Sequence, residues 1–169
     1  MEMAGWWWSR PNFVAAQKDE SFQAWVTMIE LGFDLCEFDD LVPELEGDYY
    51  RDDALLVAEK HFLRLFPDRA TVKAKENTHT YLLFVGLIGH MYVHHLECKW
   101  VNQVKDAEYS ITEVGPAIEQ PWNNRMLLSV IASPRVAAIR HEGNLWDFTF
   151  RNNRKNYLEW VEQGRPEPK

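Results

Sequence analysis

Apolar residues recur at helical spacing in the first third of the chain. The pattern predicts a helix over residues 18–31, for which Asp19 or Ser21 offers an N-cap and Gly32 a C-terminal stop. Its apolar face comprises Phe22, Trp25, Ile29 and Phe33. Such an amphipathic helix needs a partner that covers this face.

A second helix is predicted over residues 53–66. Asp52 or Asp53 can cap its beginning, and Pro67 ends it. Residues 71–75 then alternate between polar and apolar side chains, which predicts a short strand.

The most apolar stretch, residues 81–93, has no polar side. Periodicity cannot separate a buried helix from buried strands in such a stretch, so both stay open, although its length favours a central helix of about 18 residues. In a helix, Gly86 and Gly89 would let a neighbouring backbone approach closely, at a cost of ~1 kcal/mol each in helix propensity.

Strand patterns follow this stretch. Residues 99–101 and 109–114 predict antiparallel strands, and residues 117–122 predict a further strand. Residues 126–139 predict a helix that is interrupted near Pro134. The expected fold class is therefore α+β, a single domain in which helices pack on a small antiparallel sheet.

The end of the chain allows two interpretations. In the first, residues 136–150 form a hairpin and residues 153–163 a short helix. In the second, Asn144 caps one helix over residues 145–163, which Gly164 ends. The alternation of aromatic and polar residues within the first range favours the hairpin.

Composition places the chain among globular proteins. Its 169 residues are the length of one ordinary domain, and 46% of them are hydrophobic and 14% aromatic. The two cysteines, Cys36 and Cys98, make no disulfide framework, which favours a reducing compartment. The sequence shows no leader pattern, and no apolar run reaches the ~20 residues that cross a bilayer. These features predict a cytoplasmic protein that is not embedded in a membrane.

The net charge of −8 is unevenly placed. Residues 1–70, the predicted helical part, hold 15 acidic and 6 basic side chains. The α/β part over residues 71–163 and the tail over residues 164–169 together hold 11 acidic and 12 basic side chains. Nine acids and one base fall in residues 33–53, the connector between the first two predicted helices. Such a surface repels nucleic acid and favours a basic protein, although solubility alone also explains it.

The connector interleaves acids with aromatic and aliphatic residues, a pattern that gives an interface both charge steering and apolar anchors. The residues expected to steer and pair with a partner are Asp34, Glu37, Asp39, Asp40, Glu44, Glu46 and Asp48. The residues expected to anchor the partner are Tyr49, Tyr50 and, from the tryptophan run at residues 6–8, Trp7. The alternative is a solvated loop whose apolar residues point into the core.

Three histidines offer an alternative function as a metal-binding helical enzyme or sensor. His79, His90 and His94 lie at i, i+11 and i+15, so a helix would place His90 and His94 one turn apart. Histidines at i and i+4 can bind one metal ion. No His-Glu-x-x-His or Cys-x-x-Cys motif accompanies them, and hydrogen-bonded core histidines are the competing explanation.

The sequence contains no catalytic template. Ser129 and Ser133 lack the Gly-x-Ser-x-Gly context, and no glycine-rich loop is present that could hold a phosphate. We therefore expect neither an enzyme nor a cofactor. A further possibility is a homo-oligomer, in which the acidic third of one copy meets a basic group of another. That basic group is Arg151, Arg154 and Lys155.

The order of a central helix, a short strand at residues 99–101, a polar turn and a further strand resembles small bacterial α/β domains of unknown function. The resemblance covers residues 78–122. Those domains carry a Gly-Glu pair on the helix and a double glycine before the strand. This chain has Gly89-His90 and Glu97-Cys98 instead.

In size, acidity and lack of a catalytic motif, the chain also resembles immunity proteins, the inhibitors with which bacteria neutralise their own toxins. This resemblance implies that the chain binds a basic protein partner, a cognate toxin, and occludes its active site with an acidic surface.

Overall fold

A computed structural model describes residues 7–34, 37–107, 111 and 113–168. The helices in these ranges are α1 (Pro11–Ala16), α2 (Glu20–Asp34), α3 (Glu37–Leu41), α4 (Ala54–Leu65), α5 (Arg69–Lys73), α6 (Thr78–Leu96), α7 (Ser133–Arg140) and α8 (Leu145–Glu162). The strands are β1 (Lys99–Gln103), β2 (Gly115–Gln120) and β3 (Met126–Leu128). Short 3-10 turns lie at Trp7–Ser9, Pro43–Leu45 and Lys75–Asn77.

The three strands form one antiparallel sheet in the order β1-β2-β3. Val101 of β1 pairs with Ala117 of β2, and Ile118 of β2 pairs with Leu128 of β3. Helix α6 packs on β1 and β2, and it also contacts α2, α4, α7 and α8. Helices packed on a small antiparallel sheet around a common core confirm the expected α+β fold.

Helix α6 lies at the centre of this core. Every residue from 83 to 89 is buried, which explains why the sequence shows no polar side there. Gly86 lies against Ile29 of α2, and Gly89 lies against the indole of Trp100 in β1. The expected helix is therefore confirmed, but the close neighbours at both glycines are side chains rather than the neighbouring backbone that was expected. Within the described ranges, no helix combines the length and apolarity needed to cross a membrane.

The strand predicted over residues 71–75 is wrong, because residues 71–73 belong to α5 and Lys75 begins a 3-10 turn. Asp68 precedes the helix, and its carboxylate accepts hydrogen bonds from the backbone N–H of Thr71 at 2.8 Å and from its hydroxyl at 2.9 Å. A carboxylate cap satisfies first-turn donors that a helix leaves open. This local hydrogen bonding favours a helix more strongly than the polar and apolar alternation of five residues favours a strand.

Helix α2 begins where the sequence predicted and ends later. Asp19 accepts a hydrogen bond from the backbone N–H of Phe22 at 2.8 Å, as expected of an N-cap. Gly32 does not stop the helix, which continues to Asp34. Gly32 is buried, so packing at this position outweighs the ~1 kcal/mol by which glycine disfavours a helix.

The helix predicted over residues 126–139 is wrong in its first half. Met126 pairs with Gln120 as part of β3, and only the later residues form α7. Pro134 lies in the first turn of α7, where its missing N–H has no helical acceptor to lose. Half of the strand predicted over residues 109–114 lies outside the described residues; in the other half, Ile111 forms an isolated bridge with Asp106, and residues 113–114 lie in no strand.

The end of the chain is one helix, α8, so the hairpin interpretation is wrong. Trp146 and Phe150 are 3% and 6% exposed, whereas Phe148 is 63% exposed. A helix explains this pattern, because residues at i and i+4 share a face that the residue between them does not. The backbone N–H of Trp146 donates to the carboxyl group of Glu59 in α4 at 2.7 Å, a long-range contact that no local pattern reveals.

Candidate protein-binding surface

Most apolar side chains between residues 38 and 49 of the connector point into the core. Five of them are at most 8% exposed: Phe38, Leu41, Val42, Leu45 and Tyr49. A short helix and a 3-10 turn can bury only one side, so the acids between these residues point outward. The apolar residues of the connector therefore fasten it to the core, as the solvated-loop alternative expected.

A tight turn brings the two halves of the connector together. Glu46 and Gly47 have positive φ angles of 52° and 80°. The hydroxyl of Tyr49 donates a hydrogen bond to the carboxylate of Asp39, and a Cβ on Gly47 would lie 3.7 Å from the same carboxylate. The acids of this segment are thus displayed on a compact, fixed unit rather than on an extended loop.

Two acids of the connector are neutralised by nearby cations. The carboxylate of Glu44 accepts a hydrogen bond from Arg64 at 2.8 Å and lies 3.3 Å from Nδ1 of His61. A hydrogen bond from its own backbone N–H, together with His61, holds the pKa of Glu44 below its usual value. Asp53 pairs with Arg51 at 2.6 Å.

A third acid, Asp52, joins the connector to α8. Its carboxylate lies 3.5 Å from Arg154, and its backbone carbonyl accepts a hydrogen bond from Arg151 at 3.4 Å. Arg151 also pairs with Asp147 at 2.8 Å. The homo-oligomer hypothesis expected Arg151 and Arg154 to pair with acids of a second copy, but both contact acidic residues of the same chain.

Asp40, Glu46 and Asp48 form the outward side of the connector, which we call the acidic surface. All three side chains are exposed. Within the described residues, no ion pair or side-chain hydrogen bond engages their carboxylates. Uncompensated charges of one sign produce a potential that extends about one Debye length, ~8 Å at physiological salt.

Tyr50 lies half-buried against three histidines of α6. Its ring stacks on His94 with the ring centroids 3.8 Å apart, and its hydroxyl lies 2.6 Å from Nε2 of His90. Its backbone carbonyl lies 3.1 Å from Nε2 of His95. Burial lowers the pKa of His95, which favours a neutral imidazole that donates to this carbonyl. Tyr50 therefore holds the connector on α6.

Two of the predicted anchors lie in the interior. Tyr49 is 3% exposed and Trp7 is 7% exposed. The indole N–H of Trp7 donates to the backbone carbonyl of Arg125 at 2.9 Å. An anchor must present its side chain to the partner, so in this structure both residues serve the core instead. The side chains of Asp34 and Glu37 lie outside the described residues.

Two exposed leucines lie on helices that flank the connector. Leu31 of α2 is 51% exposed and Leu65 of α4 is 45% exposed. Leu65 follows Arg64, the residue that pairs with Glu44. The sequence signal that could have identified Leu31 is that it lies outside the predicted apolar face of its helix.

The three-histidine metal site does not form. His79 lies in the first turn of α6 and His94 in the last, which separates them by ~22 Å along the helix axis. Among the residues that the structure describes, no three side chains of His, Cys, Asp or Glu are grouped to hold a metal ion. His90 and His94 contact Tyr50 instead.

Comparisons of this chain with known protein families, with curated proteins and with solved structures find no match.

Proposed function

We propose that this chain is a protein-binding domain whose acidic surface docks on a basic partner, and that it acts as an immunity-type inhibitor of a bacterial toxin. The observation that supports this proposal is the contrast within the connector. Asp40, Glu46 and Asp48 are exposed without a compensating cation in the described residues, whereas an arginine lies beside each of Glu44, Asp52 and Asp53.

The acidic surface suits long-range recruitment of a basic protein. Charges of one sign accelerate encounter with an oppositely charged partner and suppress binding to other acidic molecules. A toxin that acts on phosphate-bearing substrates needs a basic cleft, and an acidic surface seated in that cleft would occlude it. Exposed Leu31 and Leu65 supply apolar contact area that charges alone do not.

The rigid attachment of the acidic surface favours binding as well. Phe38, Leu45 and Tyr49 fix the connector from below, and Tyr50 fixes its end on α6. A surface that is already ordered loses little conformational entropy when it meets its partner.

The test uses the full chain and a triple variant, D40N/E46Q/D48N, as bait in lysate of the native organism. The matched control is E20Q/E76Q/E162Q, which changes the net charge equally but alters exposed acids outside the connector. We expect the wild type and the control to retain one basic protein at low salt, and the triple variant to retain much less of it.

The captured protein is then expressed with and without each variant. We expect the wild type and the control to suppress its toxicity, and the triple variant to fail. Equal retention by the triple variant and the wild type would contradict the acidic surface as the binding site. A captured protein without toxicity would leave protein binding but contradict the inhibitor function.

A further inference from the structure

A groove of about 410 Å³ lies on the sheet side of the molecule, remote in sequence from the connector. It runs between β1 and the segment that contains α1 and the beginning of α2. Ligand sites for small molecules commonly have volumes of ~300–1,000 Å³, so the groove is large enough for one.

Aromatic side chains form the walls of this groove. Trp7, Trp8 and Phe13 lie at one end, where the rings of Trp7 and Trp8 are 5.6 Å apart and those of Trp7 and Phe13 are 5.2 Å apart. Phe22 and Trp100 line it further along. Among these residues Trp8 and Trp100 are half-buried rather than buried, and such rings suit a flat or apolar ligand body, which gains hydrophobic burial and edge or face contacts.

The side of the groove that α1 forms is held in place by hydrogen bonds. The side-chain amide of Gln17 donates to the backbone carbonyl of Asn102 at 2.8 Å and accepts from its backbone N–H at 2.8 Å. Gln17 thus makes the two backbone hydrogen bonds at Asn102 that a further strand would make on this edge of β1. The groove is therefore a fixed cavity rather than a gap between loosely attached segments.

Charges around the groove are opposite to the charge of the chain as a whole. Arg125 pairs with Glu119 at 2.5 Å and 3.1 Å and lies over the ring of Trp8, so these two charges cancel. Lys18 and Lys99 also line the groove, and in the described part of the chain neither forms an ion pair. The groove therefore carries two positive charges on a chain of net −8.

We propose that this groove binds a small amphipathic carboxylate, whose apolar or aromatic body lies between the indoles and whose carboxylate lies between Lys18 and Lys99. The proposal goes beyond the protein-binding function and does not depend on it. Apolar walls favour the body of such a ligand, and the two ammonium groups select an anionic end over a neutral one.

The test compares two probes of nearly the same shape, 1-naphthaleneacetate and 1-naphthaleneacetamide, by calorimetric titration of the full chain. Only the first carries a charge. We expect the carboxylate to bind about tenfold more tightly than the amide, because a charge-assisted hydrogen bond contributes roughly that factor. The indole N–H resonances of Trp8 and Trp100 should shift on binding.

Two variants locate the site. K18M/K99M keeps an unbranched side chain of similar bulk at both positions but removes both charges, so we expect the carboxylate's advantage over the amide to disappear. The control K73M/K75M, at two exposed lysines near α5, should keep it. V14W places a large side chain at a groove residue that is 44% exposed, and it should abolish binding of both probes.

Equal affinity of wild type for the two probes would contradict the proposed carboxylate recognition. An advantage that survives in K18M/K99M, or binding that survives in V14W, would place the ligand elsewhere and overturn the assignment. Binding to anionic lipid vesicles without binding to the free carboxylate would show a membrane surface as the ligand instead, and would also overturn it.

Discussion

The acidic surface and the groove use aromatic residues in opposite ways. In the connector, Phe38 and Tyr49 are buried below the acids, and the surface above them is charged. In the groove, Trp8 and Trp100 are only half-buried, and their rings line open space beneath two lysines. We propose that the first region attracts a protein partner through its electrostatic field and that the second encloses a small ligand.

This difference shows that the same sequence signal can have two meanings. Charges mixed with aromatic residues predicted anchors in the connector, yet the aromatic rings there hold the fold. In the groove, by contrast, Trp8 and Trp100 are partly exposed. They come from separate segments of the chain, so no local pattern of charges and aromatic residues marks them. Substitutions in each region can separate aromatic residues that hold the fold from those that line a ligand site.

Phe38→Ala should destabilise the protein far more than Val14→Ala. Phe38 is fully buried, and truncation of a buried phenylalanine commonly costs about 3–5 kcal/mol because it leaves a cavity. Val14 lines the groove and is 44% exposed, so its truncation should change the free energy of unfolding by less than about 0.5 kcal/mol. Denaturant unfolding of both variants checks this; similar costs would show that the connector is not fastened as described.

Gly89→Ala should destabilise more than Gly86→Ala. A Cβ at position 89 would lie 2.0 Å from the ring of Trp100, and such overpacking commonly costs about 1–3 kcal/mol. A Cβ at position 86 would lie 2.3 Å from Cδ1 and 2.9 Å from Cγ1 of Ile29, so that side chain must shift as well. Because a flexible aliphatic side chain yields more readily than a rigid indole, we expect a smaller cost, of which the ~1 kcal/mol gain in helix propensity offsets a part. Thermal unfolding ranks the two. Only Gly89→Ala should also weaken naphthaleneacetate binding, since it displaces a groove wall.

Glu59 should make stability fall as pH rises. Burial raises the pKa of its carboxyl group above the usual value, although hydrogen bonds from Trp146 and Leu145 oppose the shift. The folded state therefore binds this proton more tightly than the unfolded state. Stability contributed by the protonated group is complete below the unfolded pKa and is lost as pH rises through the raised folded pKa.

The matched comparison for this effect is Glu59→Gln, which keeps an acceptor for the N–H of Trp146 but does not titrate. The wild type should lose free energy of unfolding relative to the variant as pH rises above about 4.3, the ordinary pKa of a glutamate. A constant difference above that pH would show that the carboxyl group titrates normally.

The triple variant D40N/E46Q/D48N should change stability least. These side chains are exposed and make no contact in the described residues, so the free energy of unfolding should stay within about 0.5 kcal/mol of the wild type. Chemical unfolding checks this. A large loss would mean that the acids support the fold, and that any loss of binding is indirect.

Local patterns predicted much of the fold and less of the surface. Apolar spacing and the N-cap Asp19 predicted α2, Pro67 predicted the end of α4, and the length of its apolar stretch predicted α6. The end of the chain was mispredicted because Glu59, far away in sequence, binds the first turn of α8. Periodicity also could not show which side of the connector faces the core, because that depends on where α6 lies.

The groove could not be predicted from the sequence either, because it also depends on contacts between distant segments. It joins α1 to β1 through the pairing of Gln17 with Asn102, which are 85 residues apart. The positions of Lys18 and Lys99 relative to one another depend on that pairing, and no spacing in the sequence encodes it.

The most direct test of the central claim is the association rate between the chain and its captured basic partner, measured by stopped flow at low and high ionic strength. The wild type should associate rapidly at low salt and lose rate steeply as salt rises, whereas D40N/E46Q/D48N should associate more slowly and show a flatter dependence. Identical rates and identical salt slopes for the two proteins would contradict recognition through the acidic surface.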